Sequence, residues 1–109
     1  MSESRALCRV EDIPDNGAIA VHVDSSTGGF DIILMRQGEA VFGYHNECPH
    51  QGRQLDYVPG KFLVKEGCIM CAAHGALFKV HSGERVAGPC STGLVRVPVR
   101  IEGAEVFSA

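Results

Sequence analysis

Hydrophobic positions along this chain fall in short runs, each closed by glycine, proline or asparagine, and those runs predict strands. Residues 7–10 read as a short edge strand, and "EDIPDNG" after them as a turn, since Pro14 fixes φ and Asn16-Gly17 accepts positive φ. "AIAVHV" alternates only loosely, as a strand does when one face is partly covered, and "STGG" ends it. From Phe30, "FDIILMR" and "EAVFGYH" flank Gln37-Gly38, which predicts a tight hairpin. Further on, turns are predicted at Pro59-Gly60 and Glu66-Gly67, "CIM" runs as a strand into "CAAHGALFKV", and "HSGE" closes another hairpin. "VAGPCSTG" is a loop, and "LVRVPVRIEGAEVF" a two-strand tail turned at Glu102-Gly103. No internal repeat, low-complexity segment or linker interrupts the pattern.

Composition agrees with an all-β fold. Thirteen glycines, five prolines and many Val, Ile and Phe residues favour short strands joined by turns. A length of 109 residues predicts one domain over 1–109 with a modest core. The net charge of −3 is spread along the chain, with no cluster of Lys and Arg interleaved with aromatics, which argues against nucleic acid and anionic membrane as partners. The start lacks a basic region followed by an apolar one, and no apolar stretch is long enough to span a bilayer, so a soluble, cytoplasmic protein is expected.

Five cysteines cannot all pair, and a cytosolic chain would keep them reduced, so metal binding is the better reading. "CPH" at 48–50 and "CAAH" at 71–74 form the pattern Cys-x-His, 20 intervening residues, Cys-x-x-His. Each half offers one sulfur and one nitrogen. A common zinc finger instead puts two cysteines in one half and two histidines in the other, although a zinc-stabilised interaction module stays as the rival from a different class. Two thiolates on one iron and two imidazoles on its neighbour require each loop to reach both metals, which one Cys and one His per loop supplies. That is the ligand set of a Rieske-type 2Fe-2S centre. Cys8, Cys68 and Cys90 read as small buried hydrophobes, with Cys90 beside the "GP" loop, and His22, His45 and His81 as surface or hydrogen-bonded residues. A 2-His-1-carboxylate oxygenase site would need a catalytic domain for which 109 residues leave no room.

Across nearly all of its length the chain resembles the Rieske ferredoxins, small electron carriers of bacterial ring-hydroxylating oxygenase systems. The matching residues are "NECPHQG", "CAAHGALF", the "SGE" hairpin and "AGP", followed by paired C-terminal strands. The resemblance implies a Rieske-type fold of antiparallel sheets with a small cluster-binding subdomain, about residues 46–92, formed by two loops. It also implies one 2Fe-2S cluster per chain, with Cys48 and Cys71 on the inner iron, His50 and His74 on the outer iron near the surface, and Gly88-Pro89 in a shielding loop. The spacing between the halves is a few residues longer than in many members, with "DYVPGKFLVKEG" as the insert.

Charge counting then bears on function. Two thiolates and two neutral imidazoles around an oxidised core of charge +2 sum to zero, against −2 for four thiolates, so Rieske potentials lie higher, across about −150 to +300 mV. By the family comparison, high-potential respiratory members carry a disulfide where this chain has Arg53 and Ala73, and serine and tyrosine hydroxyls where it has Ala76 and Phe78. Without those donors a potential toward the low end is expected. The resemblance thus implies a non-enzymatic one-electron carrier that takes electrons from a flavin-dependent NAD(P)H ferredoxin reductase and passes them to a terminal oxygenase through transient contacts. Docking is expected around Gln51, Gly52, Ala76 and Pro89. The alternative within electron transfer is a small subunit of an assimilatory nitrite reductase.

Overall fold

The computed structural model describes residues 6–25, 28–46, 61–70, 76–87 and 93–108. Among the described residues ten strands are formed: β1 (Cys8–Arg9), β2 (Ala18–Ser25), β3 (Gly28–Gln37), β4 (Ala40–His45), β5 (Leu63–Lys65), β6 (Cys68–Met70), β7 (Leu77–Lys79), β8 (Arg85–Ala87), β9 (Val99–Glu102) and β10 (Glu105–Ser108). Among the described residues the one helical element is a 3-10 turn at Val10–Asp12, where the strand predicted over residues 7–10 ends. These strands form three antiparallel sheets, ordered β1-β10-β9, β2-β3-β4 and β5-β6-β7-β8. The all-β expectation holds, and no described helix is long and apolar enough to cross a membrane.

The continuous apolar run in "FDIILMR" has a structural cause. Ile32, Ile33, Leu34 and Met35 are all fully buried because β3 is covered on both faces. Ile32 and Leu34 join Ile13 and Val106 in one core, while Ile33 and Met35 join Tyr44, Ile69, Phe78 and Val80 in a second. Strand alternation sends neighbours to opposite faces, so this single strand is the wall shared by two cores. Each of its buried side chains contributes about 1.5–3 kcal/mol relative to exposure.

Turn chemistry sets the register. Glu66 and Gly67 have φ of 53° and 76°, and the turn they form pairs Lys65 with Cys68, as predicted. Two predicted turns sit one residue later than expected. Gln37 pairs with Ala40, so the loop is Gly38-Glu39, and Glu102 pairs with Glu105, so the loop is Gly103-Ala104. The glycine, at φ 62° in both, occupies the first loop position, where positive φ is needed, instead of the second. The predicted tail is a hairpin only over its last part. Ahead of β9 the chain runs along β4: the Val97 N–H donates to the Gly43 carbonyl at 2.9 Å and the His45 N–H to the Val95 carbonyl at 2.9 Å. Asn16, at φ 59°, takes the positive angle foreseen for it, whereas Pro59-Gly60 lies outside the described residues.

Candidate metal centre

Cys48, His50, Cys71 and His74 lie outside the described residues, as do Gln51, Gly52, Arg53, Ala73, Gly88, Pro89 and Cys90. The frame that carries them is described. β4 ends at His45, three residues before Cys48. β6 ends at Met70, next to Cys71, and β7 starts at Leu77, three residues past His74. Met70 pairs with Leu77, so residues 71–76 connect two neighbouring strands. Both halves of the motif therefore leave from strands that share a core, since Tyr44 of β4 packs with Ile69 of β6 and Phe78 of β7. The join is also polar: the Tyr44 hydroxyl donates to the Val80 carbonyl at 2.9 Å. Burial pushes the Tyr44 phenol up, an effect that Arg96 partly opposes.

At the exit of β4 the Asn46 N–H donates to the Asp31 carbonyl at 3.0 Å, and the Asp31 carboxylate meets His22 Nδ1 at 2.8 Å. Asn46, 5% exposed, is the one buried polar residue among those described. Sequence reasoning overlooked it. Its signal was an amide residue directly after an apolar strand, a residue type favoured where a strand ends.

Ala76 and Phe78 are both fully buried and belong to the core behind this frame. Ala76 is therefore not a docking residue, contrary to expectation: two residues past His74 the chain has already turned its side chain inward. Neither position supplies a hydroxyl. The other cysteines differ from expectation too, because Cys8 and Cys68 are partly exposed instead of buried. Burial, with the Asp12 carboxylate second, pushes the Cys8 thiol up. His22 and His81 are exposed, as foreseen. Among the described residues no three His, Cys, Asp or Glu side chains come together as a metal site. The residues fit a Rieske cluster: a soft sulfur and a borderline nitrogen come from each of two segments whose flanking strands share one core.

The chain matches the family described as Rieske [2Fe-2S] domain over residues 3–99. It is 29% identical over 101 residues to the alkene monooxygenase system ferredoxin component of Xanthobacter autotrophicus strain Py2, covering 93% of this chain and 76% of that one. It is 25% identical over 100 residues to the 3-phenylpropionate/cinnamic acid dioxygenase ferredoxin subunit of Escherichia coli strain K12, covering 92% and 87%. Among solved structures, the ferredoxin of Sphingomonas yanoikuyae B1 superposes with a TM-score of 0.75 at 26% identity over 97% of both chains. The chain belongs to the Rieske 2Fe-2S domain family. Its group is a 2Fe-2S cluster of Rieske type, and its work is electron transfer, not catalysis.

Proposed function

We propose that Cys48, His50, Cys71 and His74 hold the cluster and that the chain, a single domain over residues 1–109 with its cluster-binding part at about 46–92, shuttles single electrons in the cytoplasm. The donor is a flavin-dependent NAD(P)H ferredoxin reductase and the acceptor a terminal oxygenase. Held by these four residues, the cluster would supply one-electron redox chemistry. The chain's task is to present the four ligands from two segments and keep their bases rigid. The observation that carries this reading is the pairing of Met70 with Leu77 beside Tyr44, which anchors both motif halves to one core. Both sequence relatives are ferredoxin components, which favours this reading over a nitrite reductase subunit.

Metal and sulfide analysis tests the proposal. Two irons and two inorganic sulfides per chain are expected, with assembly abolished in Cys48→Ser and Cys71→Ser, because the thiolate is the ligand. Stoichiometric zinc without sulfide in anaerobically prepared protein would reject it. Affinity for the partners should be weak, as small redox interfaces are.

A further inference from the structure

Sheet edges present unpaired N–H and C=O groups, and proteins blunt them with charges, prolines, bulges or very short strands. Most edges of this chain follow that rule. β1 is two residues long, β5 carries Lys65, β8 carries Arg85 and pairs with β7 through a shifted register, and β9 carries Arg100 and Glu102. β4 is covered along its outer side by Val95 and Val97. The exception is β2. It is eight residues long, pairs with β3 without a break in register, and has no proline and no Lys, Arg, Asp or Glu from Ala18 to Val23.

Hydrogen-bond parity shows which groups of β2 face outward. The Arg36 N–H donates to the Gly17 carbonyl at 3.1 Å, one step before the Ala18–Met35 pair. Bonded and non-bonded pairs alternate along an antiparallel ladder, so Ile19, Val21 and Val23 bond to β3, while Ala18, Ala20 and His22 turn their backbone away from it. Asp31, opposite His22, agrees, since its carbonyl accepts from Asn46 on the β4 side. Among the described residues no backbone group meets those of Ala18 and Ala20 on that outer side, and Ala20 is exposed. On the face toward Ile13 and Val106, Ile19, Val21 and Val23 form an apolar row that is only partly buried where the sheet ends.

From this arrangement we infer that the β2 edge pairs with the β2 edge of a second copy of this chain, antiparallel about a twofold axis, joining two three-stranded sheets into one. Charge and shape select that occupant. With the axis at Ala20, Ala20 faces its own copy and Ala18 faces His22, so each outward N–H meets a C=O and no like charges are opposed. On the other face Ile19 stands beside the second copy's Val21, which extends an apolar row that the edge leaves half covered. A different protein would need charged side chains here to orient and select it, and Ala18 to Val23 includes no Lys, Arg, Asp or Glu. A twofold interface requires only one self-complementary patch. Pairing over a few residues buries less than the roughly 800 Å² per partner of a standard interface, so the dimer is weak and forms as concentration rises. Neither the cluster nor its proposed ligands take part.

Sedimentation equilibrium of the cluster-loaded chain from about 10 µM to about 1 mM tests the pairing. Wild type is compared with Ala20→Glu and Ala20→Lys. Residue 20 is exposed, so the folded monomer accommodates either side chain, and unchanged iron, sulfide and visible spectrum establish that each variant is intact. Wild type is expected to pass from monomer to dimer across this range. Each variant sets like charges against each other at the axis and should raise the dissociation constant about tenfold or more, while an equimolar mixture of the two restores dimerisation because opposite charges then meet. A wild type that is monomeric throughout overturns the pairing, and if Ala20→Glu then slows electron transfer with reductase or oxygenase, the edge belongs to a redox partner. A wild-type dimer that Ala20→Glu leaves unchanged also overturns it, placing the interface elsewhere, as does a mixture that stays monomeric.

Discussion

The two cores on either side of β3 are built in opposite ways. On one side β2 and β3 run 8 and 10 residues and pair in register from Ala18–Met35 to Ser25–Gly28, closing over Ile13, Ile32, Leu34 and Val106. On the other side every strand of β5-β6-β7-β8 has three residues. Long strands bring their own ladder of hydrogen bonds and a broad apolar face, so the first region is self-sufficient. Three-residue strands are near the lower limit for a strand, and such a sheet needs packing and cross-links from elsewhere to persist. The stable half is a platform, and the half that carries the metal motif depends on what it is fastened to.

The largest effect expected from this contrast follows removal of the cluster. In Cys71→Ser, hydrogen exchange should show amides of β6 and β7 losing protection by orders of magnitude, while those of β3 keep most of theirs. Uniform loss through both regions would erase the distinction between them. Next comes the seam at Gly83, which has φ 74° and whose added Cβ would lie 2.6 Å from the Tyr44 ring. Gly83→Ala should cost about 2–4 kcal/mol from left-handed strain and overpacking together. Gly38→Ala, at φ 62° with no atom within 4 Å of the added carbon, should cost only about 1–2 kcal/mol. Urea titration of both variants measures the tyrosine contact as the difference, and equal losses would contradict a seam at that point.

A smaller effect is expected behind the candidate site. Ala76 is fully buried on the core side, and Ala76→Ser places a hydroxyl there at small added volume. A hydrogen bond that favours the reduced state by about 1–2 kcal/mol raises the one-electron potential by roughly 40–90 mV. Phe78→Tyr is less suited than the family comparison suggested, because its ring lies fully inside the core and an added hydroxyl there must find a partner. Voltammetry of Ala76→Ser with the cluster intact checks the sign, and a lowered potential would contradict it.

The smallest effect concerns Tyr44. Losing its bond to the Val80 carbonyl in Tyr44→Phe should cost about 1 kcal/mol at neutral pH. Burial raises the phenol's pKa in the folded chain above its ordinary value of 10.0, with Arg96 partly opposing. The stability this gives is complete below pH 10 and declines as pH rises from there through the folded-state pKa. The phenylalanine variant should lack that decline, so the two stability curves converge above pH 10 in denaturant titrations. Parallel curves would mean that the hydroxyl is not buried at the seam.

Much of this was legible from residue order. Turn residues marked most of the described strand boundaries, and the Asn16, Glu66 and Gly67 angles fall at turn positions that take positive φ. The turns at Gly38 and Gly103 came out one residue off because a lone glycine does not reveal which of two loop positions it fills. The double burial of β3 was visible only as an unbroken apolar run, which cannot say what covers each face. Ala76 was assigned to the surface because closeness in sequence to His74 was read as closeness to the tip, whereas inward alternation had already resumed. The candidate ligands were legible since their chemistry restricts residue type and spacing together, a far narrower condition than burial.

The central claim is that each motif half gives one sulfur and one nitrogen to a single two-iron cluster. Pulsed EPR on dithionite-reduced protein labelled with ¹⁵N only in histidine rings tests it most directly. The account predicts couplings from two directly bound imidazole nitrogens, both lost together with the cluster in Cys48→Ser or Cys71→Ser. A cluster signal with no strongly coupled histidine nitrogen, or with only one, would contradict it.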